Sequence, residues 1–214
     1  MERNNDIVAH IDKIFADMCN EYEAVLGVFY PGQESAGFNE SNLVQKFMYH
    51  YKQVVSKVVV WSELSTGRIE VGSTDDDELK KLPGRLDGVI VDFENDALII
   101  IEAKRFNKKN KIESSVNDII RSVKLKDDVF HIKNSFPKHR YTLVLGDIWA
   151  EGSSTDIRRR WIAEWETNNP LVAHPRFDAK ATVLGHKCYN VAKYSTYHIV
   201  YSLFDIIKEN EQDH

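Results

Sequence analysis

Asp87, Glu102 and Lys104, within the segment RLDGVIVDFENDALIIIEAKR, have the types and spacing to hold a hard cation beside an ammonium group. Side chains two apart along a strand point the same way, so Glu102 and Lys104 share a face. With Asn95 and Asp96 as the two-residue turn of an antiparallel hairpin, Phe93 faces Leu98, Val91 faces Ile100, Val89 faces Glu102 and Asp87 faces Lys104. Cross-strand partners project to one side, which gathers the three charged groups. Asp87 and Glu102 are then diagonal neighbours about 7–8 Å apart at the backbone. Two carboxylates at that separation can reach one hard cation. Without a divalent ion or the nearby lysine, their mutual repulsion and desolvation are costly.

The plainer reading makes Glu102 and Lys104 the solvent-exposed end of a strand, where a charged pair contributes little. The preceding residues argue against it. Ala97, Leu98, Ile99, Ile100 and Ile101 form a run that reads as buried on both faces. A strand that apolar has little reason to end in Glu and Lys unless they are used.

At these residues the chain resembles the PD-(D/E)xK nuclease superfamily, the fold of many restriction endonucleases, junction resolvases and repair nucleases. Asp87 matches the first acid and Glu102-Ala103-Lys104 the (D/E)xK element, while Arg85-Leu86 stands where the name places a proline. The resemblance spans about Asn39 to Trp149. It implies an α/β fold with a restriction-endonuclease-like core: a central mixed β-sheet flanked by helices, in the order αβββαβ. Residues 1–38 would be an N-terminal helical extension and 150–214 a C-terminal α/β extension of a single domain.

Many members of that superfamily also carry an acid on the first core helix, and Glu40 is the candidate. In FNESNLVQKFMYHYKQVV, Leu43, Val44, Phe47, Met48, Tyr51, Val54 and Val55 lie at helical spacing, and Glu40 extends that stripe at its first turn. The alternative is an acid favoured there by the helix dipole, with Asn39 or Ser41 as cap. Glu63, on the following strand, is the reserve.

The remaining pattern supplies the elements. An amphipathic helix is expected over Asp6 to Leu26 and strands over Lys57 to Leu64 and Tyr141 to Trp149. A helix is expected over Ile112 to Phe130, and Ser65 to Gly84, with its acid run Thr74 to Glu78, reads as a loop. Beyond Ala150, a helix over Asp156 to Glu166, a loop through Asn168 to Pro175, strands over Ala181 to His186 and Tyr197 to Leu203, and a closing helix from Phe204 to Asn210 are expected.

Composition bounds the rest. A chain of 214 residues, 43% hydrophobic, is large enough for one good core. It has no long apolar run, so a soluble, cytoplasmic protein without membrane contact is expected. Cys19 and Cys188 give no disulfide framework, and both read as buried free thiols. The net charge of -5 counts against a broad, sequence-independent DNA-binding surface. Locally, Lys104, Arg105, Lys108, Lys109 and Lys111 crowd the exit from the Glu102 strand and read as phosphate contacts. Arg158, Arg159 and Arg160 read instead as a solvated helix face whose Trp161 and Trp165 dock on the core. None of the eight histidines, His50 and His131 included, stands at ligand-pair spacing to another. Glycine-rich phosphate loops, H-E-x-x-H and G-x-S-x-G are absent from the sequence.

The resemblance implies a metal-dependent endonuclease. Asp87, Glu102 and the Ala103 carbonyl would bind magnesium, manganese substituting, with Lys104 catalytic and Glu40 completing the site. DNA is the expected partner, RNA is left open, and a homodimer or larger nuclease complex fits double-strand cutting. The alternative is a silent or partner-dependent subunit of the same fold that binds nucleic acid or serves assembly.

Overall fold

Helical spacing of Ile7, Ile11, Ile14, Phe15, Met18 and Tyr22 gives Asn5–Leu26 (α1) one apolar face, and all six side chains are buried. A computed structural model describes residues 5–28, 39–65, 85–106, 110–125, 130, 132, 136–151, 156–167, 171, 181–192 and 195–206. Glu40–Val54 (α2) is started by Asn39, whose side chain accepts the Asn42 N–H at 2.9 Å. Its buried stripe is Leu43, Val44, Phe47, Met48 and Tyr51. Then come Val58–Ser65 (β1), Arg85–Asp92 (β2), Ala97–Arg105 (β3), Asn110–Lys124 (α3), His139–Glu151 (β4), Asp156–Thr167 (α4), Ala181–Ala192 (β5) and Ser195–Asp205 (β6).

The strands form one six-stranded sheet in the order β1-β2-β3-β4-β6-β5. β3 and β4 run parallel, joined across α3, and every other neighbour is antiparallel. One face packs on α1 and α2 through Ile90, Ile99, Ile101, Leu143 and Tyr201. The other meets α3 and α4 through Val144, Ile148, Val200, Trp161 and Trp165. β3 is therefore buried from Ala97 to Ala103, as its apolar run requires. At Gly88 a Cβ would collide with Met48 and Val44, so glycine is what allows α2 to lie this close to β2 beside Asp87. Among the described residues no helix is long and apolar enough to cross a membrane.

The hairpin register differs from the expected one. Asp92 pairs with Ala97, Val91 with Leu98 and Val89 with Ile100, so the turn takes residues 93–96 rather than Asn95 and Asp96 alone. Asp92 is the cause. Its Oδ1 accepts the Glu94 and Asn95 N–H groups, each at 2.9 Å, and its Oδ2 accepts from Tyr51 and the Asn95 side chain, each at 2.7 Å. Asp96 closes the turn in the left-handed region, φ 52°. A slip of two residues leaves every side chain on its expected face, whereas a slip of one would have reversed them all.

Three further expectations are corrected. Phe204 belongs to β6, not to a closing helix, and residues 207–210 lie outside the described residues. α3 ends at Lys124, short of Phe130. Cys19 is buried but Cys188 is exposed. The acid run Thr74 to Glu78, Lys108, Lys109, His131 and most of the Asn168 to Pro175 loop also lie outside the described residues.

Candidate active site

The β2–β3 ladder stops at Gly88 opposite Ile101, and one residue further the Asp87 carboxylate accepts the Ala103 N–H at 2.8 Å. A side chain thus takes the donor that a strand carbonyl would otherwise meet, and the two backbones part there. Across β2, Glu63 lies between the pairs Ser62–Gly88 and Leu64–Leu86 with φ 57°, uncommon for a side-chain-bearing strand residue. The alternation reverses at this point. Leu64 and Leu86 pack with Val89, Leu98, Ile100 and Leu125 on the α3 side, where strict alternation would turn them toward α2. Glu63 itself is half exposed and paired with Arg85 at 2.6 Å.

Glu102 and Lys104 face α3, on which Asp118 and Arg121 sit one turn apart. Arg121 donates to Glu102 at 2.6 Å and pairs with Asp118 at 3.2 Å, while Lys104 pairs with Asp118 at 2.7 Å. Three carboxylates (Asp87, Glu102, Asp118) thus meet two cations (Lys104, Arg121), one negative charge in excess when all five are ionised. Burial pushes the Glu102 carboxyl up to about 8, with Asp118 and then Asp87 adding to the rise against Arg121 and Lys104. Burial by itself would lower Lys104, but Asp118, Glu102 and Asp87 together hold it above the usual lysine range. Asp118 and Arg121 belong to the site too, and are not among the residues expected from the sequence. Their signal was Ser115, Asp118, Ser122 and Leu125 in helical phase, all buried: polar groups set in a core-facing stripe.

Glu40 reaches the end of β3 from the α2 side, where its carboxylate accepts the Arg105 N–H at 2.8 Å and lies 3.8 Å from Lys111. The Ala103 and Arg105 N–H groups leave β3 by the same edge, so Glu40 takes the donor next after the one that Asp87 takes, while Lys104 turns to α3. Arg105, expected to contact phosphate, is turned inward onto Asp147, with Nη2 2.9 Å from Oδ2. Tyr197 donates to the same oxygen at 2.9 Å. Burial raises the Asp147 carboxyl, and Arg105 and Tyr197 partly offset that rise.

The second basic cluster packs as the sequence suggests. Trp161 and Trp165 are buried against Phe106, Arg158 donates to the Trp149 carbonyl at 3.0 Å, and Arg160 pairs with Glu164. The histidines behave less simply. His186 and His198 meet across β5 and β6 with ring nitrogens 2.7 Å apart, and Cys188 Sγ is 3.9 Å from His198. Burial, then His186, lowers His198 to about 4. Their separation in sequence hides a contact that the strand register creates. His50 pairs with Glu21 at 2.9 Å.

Among the described residues no three His, Cys, Asp or Glu side chains form a metal cage. Magnesium does not require one, because it binds through one or two carboxylates and retains water. Asp87 and Glu102 supply that hard oxygen set, and the Ala103 carbonyl points to the same side as the N–H that Asp87 accepts. Burial, with Asp118 and Asp87 beside it, is what lifts Glu102, and a bound cation would offset both effects, so the donors fit. No family model matches the chain, nor does any curated protein or solved structure.

Proposed function

We propose that this protein is a magnesium-dependent nuclease hydrolysing phosphodiester bonds, with DNA as substrate and an endonucleolytic mode of attack. One observation carries the reading: two acids and a lysine from adjacent strands converge where β2 and β3 separate, in surroundings with three carboxyl groups to two cations. The chain order α2-β1-β2-β3-α3-β4 supports it, because that is the order a restriction-endonuclease-like core requires.

Asp87, Glu102 and the Ala103 carbonyl would hold the magnesium, which when bound supplies a water of lowered pKa and polarises a phosphate oxygen. Lys104 remains an ammonium at neutral pH because Asp118 holds it so. It therefore stabilises developing phosphate charge as a donor and does not take a proton as a base. Arg121 fixes the Glu102 carboxylate, and Asp118 fixes Lys104. Glu40 braces the end of β3 through the Arg105 N–H, beside the donor that Asp87 takes, and would complete the site from that edge.

The test is incubation of purified protein with supercoiled plasmid and magnesium or manganese, beside Asp87→Ala and Lys104→Ala. Nicking or linearisation by the parent alone is the expected result. Equal cleavage by the variants assigns the activity to a contaminant and overturns the reading.

One feature favours a second reading, a silent or partner-dependent subunit. Arg121 seals Glu102, with side chains 5% and 2% exposed, so the carboxylate is already engaged. Calorimetric silence with manganese would support that reading over the first.

A further inference from the structure

We propose that Trp61 is a stacking platform for a base of the substrate strand, one nucleotide from the phosphate held at Asp87 and Lys104; this rests on the nuclease reading above. Trp61 is 61% exposed, whereas Trp149, Trp161 and Trp165 are 8%, 5% and 1% exposed. Among the described residues nothing bonds its indole N–H, which leaves that donor open to a sugar or phosphate oxygen.

Register places the ring on the face of the site. Trp61 pairs with Val89 and Val89 with Ile100, which precedes Glu102 by two residues on the same side of β3. From Trp61 to Asp87 is one diagonal step across β1 and β2, about 7–8 Å at the backbone, of the order of one extended nucleotide. Val59, 52% exposed and paired with Val91, continues the row along the same face.

The surroundings favour a nucleic-acid strand over a second copy of the chain. The apolar row is a few side chains long, whereas a stable protein interface buries about 800 Å² on each partner. At its site end stand Glu63 and Arg85, charged and half exposed, and the left-handed backbone of Glu63 spoils the flat edge that another strand would need. A flat ring beside a phosphate-binding centre suits base stacking, which tolerates any sequence because every base has a π-face.

The experiment uses the intact protein with calcium in place of magnesium, a hard cation that the same oxygens can bind, titrated with short single-stranded and duplex DNA, and reads tryptophan emission together with anisotropy of a labelled oligonucleotide. Because the other three tryptophans are buried, a change in emission reports on Trp61. Binding should quench it. Trp61→Ala should abolish the quenching and weaken binding about tenfold, with the thermal midpoint unchanged, and Trp61→Phe should keep most of the affinity. Binding without quenching, and with unaltered affinity in Trp61→Ala, overturns the platform and leaves the nuclease reading intact. Absence of binding by the parent overturns both. A dimer seen in sedimentation that Trp61→Ala dissolves, with no effect on DNA, assigns the row to a second copy instead.

Discussion

Arg121 on α3 donates to Glu102 on β3 at 2.6 Å with both side chains almost wholly buried. The same guanidinium lies 3.2 Å from Asp118, so one cation serves two carboxylates. A buried pair of this kind is weak evidence for stability, but breaking it leaves a charge with no partner.

Arg121→Ala should therefore destabilise the fold by about 3–5 kcal/mol at pH 8, and by less at pH 5.5, where the Glu102 carboxyl is protonated and needs no counter-ion. Urea unfolding at the two pH values measures this. An equal loss at both would show that Arg121 acts through packing alone.

Glu102 makes stability depend on pH in a direction that can be worked out. Burial under α3, with Asp118 and Asp87 adding to it, raises its carboxyl from the ordinary 4.5 to about 8 in the folded chain. Between those values the folded state holds a proton that the unfolded state has lost, so stability falls as pH rises from about 4.5 to 8. Glu102→Gln should flatten that slope, and at pH 8.5 it should unfold at a higher denaturant concentration than the parent. Manganese binding should release a proton and tighten as pH approaches 8, which calorimetry in buffers of different ionisation enthalpy would register. A parallel pH slope in parent and variant would place the titration elsewhere.

Asp87 has two separable roles, in the strand and in the chemistry. Asp87→Asn keeps an acceptor for the Ala103 N–H, so its stability should change by less than about 1 kcal/mol, while any magnesium-dependent cleavage should fall at least about a hundredfold. Asp87→Ala orphans that N–H and should cost a further 1–3 kcal/mol or so. Thermal denaturation beside a cleavage assay separates the two effects. A cleavage rate that survives in Asp87→Asn would remove Asp87 from the chemistry.

Arg105 and Lys111 both follow the (D/E)xK strand, yet they should respond differently. Arg105→Ala strands the buried Asp147 carboxylate and should destabilise by about 3 kcal/mol or more. Lys111→Ala touches a half-exposed pair with Glu40 and should change stability by less than about 0.5 kcal/mol, while lowering the salt dependence of DNA binding by about one ion. Denaturant midpoints and affinities at two salt concentrations test both halves.

Much of this was legible along the chain because it depends on short-range geometry. The buried run before Glu102 marked β3, the stripe from Leu43 to Tyr51 marked α2, and the period of two gave Glu102 and Lys104 one face. The hairpin pairs were not legible, because Asp92 gathers the turn N–H groups through its own carboxylate and Tyr51, and no local composition rule anticipates that. The contact of His186 with His198 is not legible in the chain, because it exists only once β5 lies beside β6. Arg105 read as a phosphate ligand because sequence shows charge but not direction, and its direction is set by Asp147 on the parallel strand β4.

The sequence by itself determined which residues carry charge at the end of β3 and that they share a side, since side-chain alternation is a property of the strand backbone alone. Tertiary structure decided the rest of their surroundings. Docking α3 across β3 brought Asp118 and Arg121 to Glu102 and Lys104; burial under that helix raised the Glu102 carboxyl, while Asp118 kept Lys104 charged against the same burial. Desolvation and Coulomb interactions depend on distances between elements remote in the chain, and those distances exist only in the folded molecule.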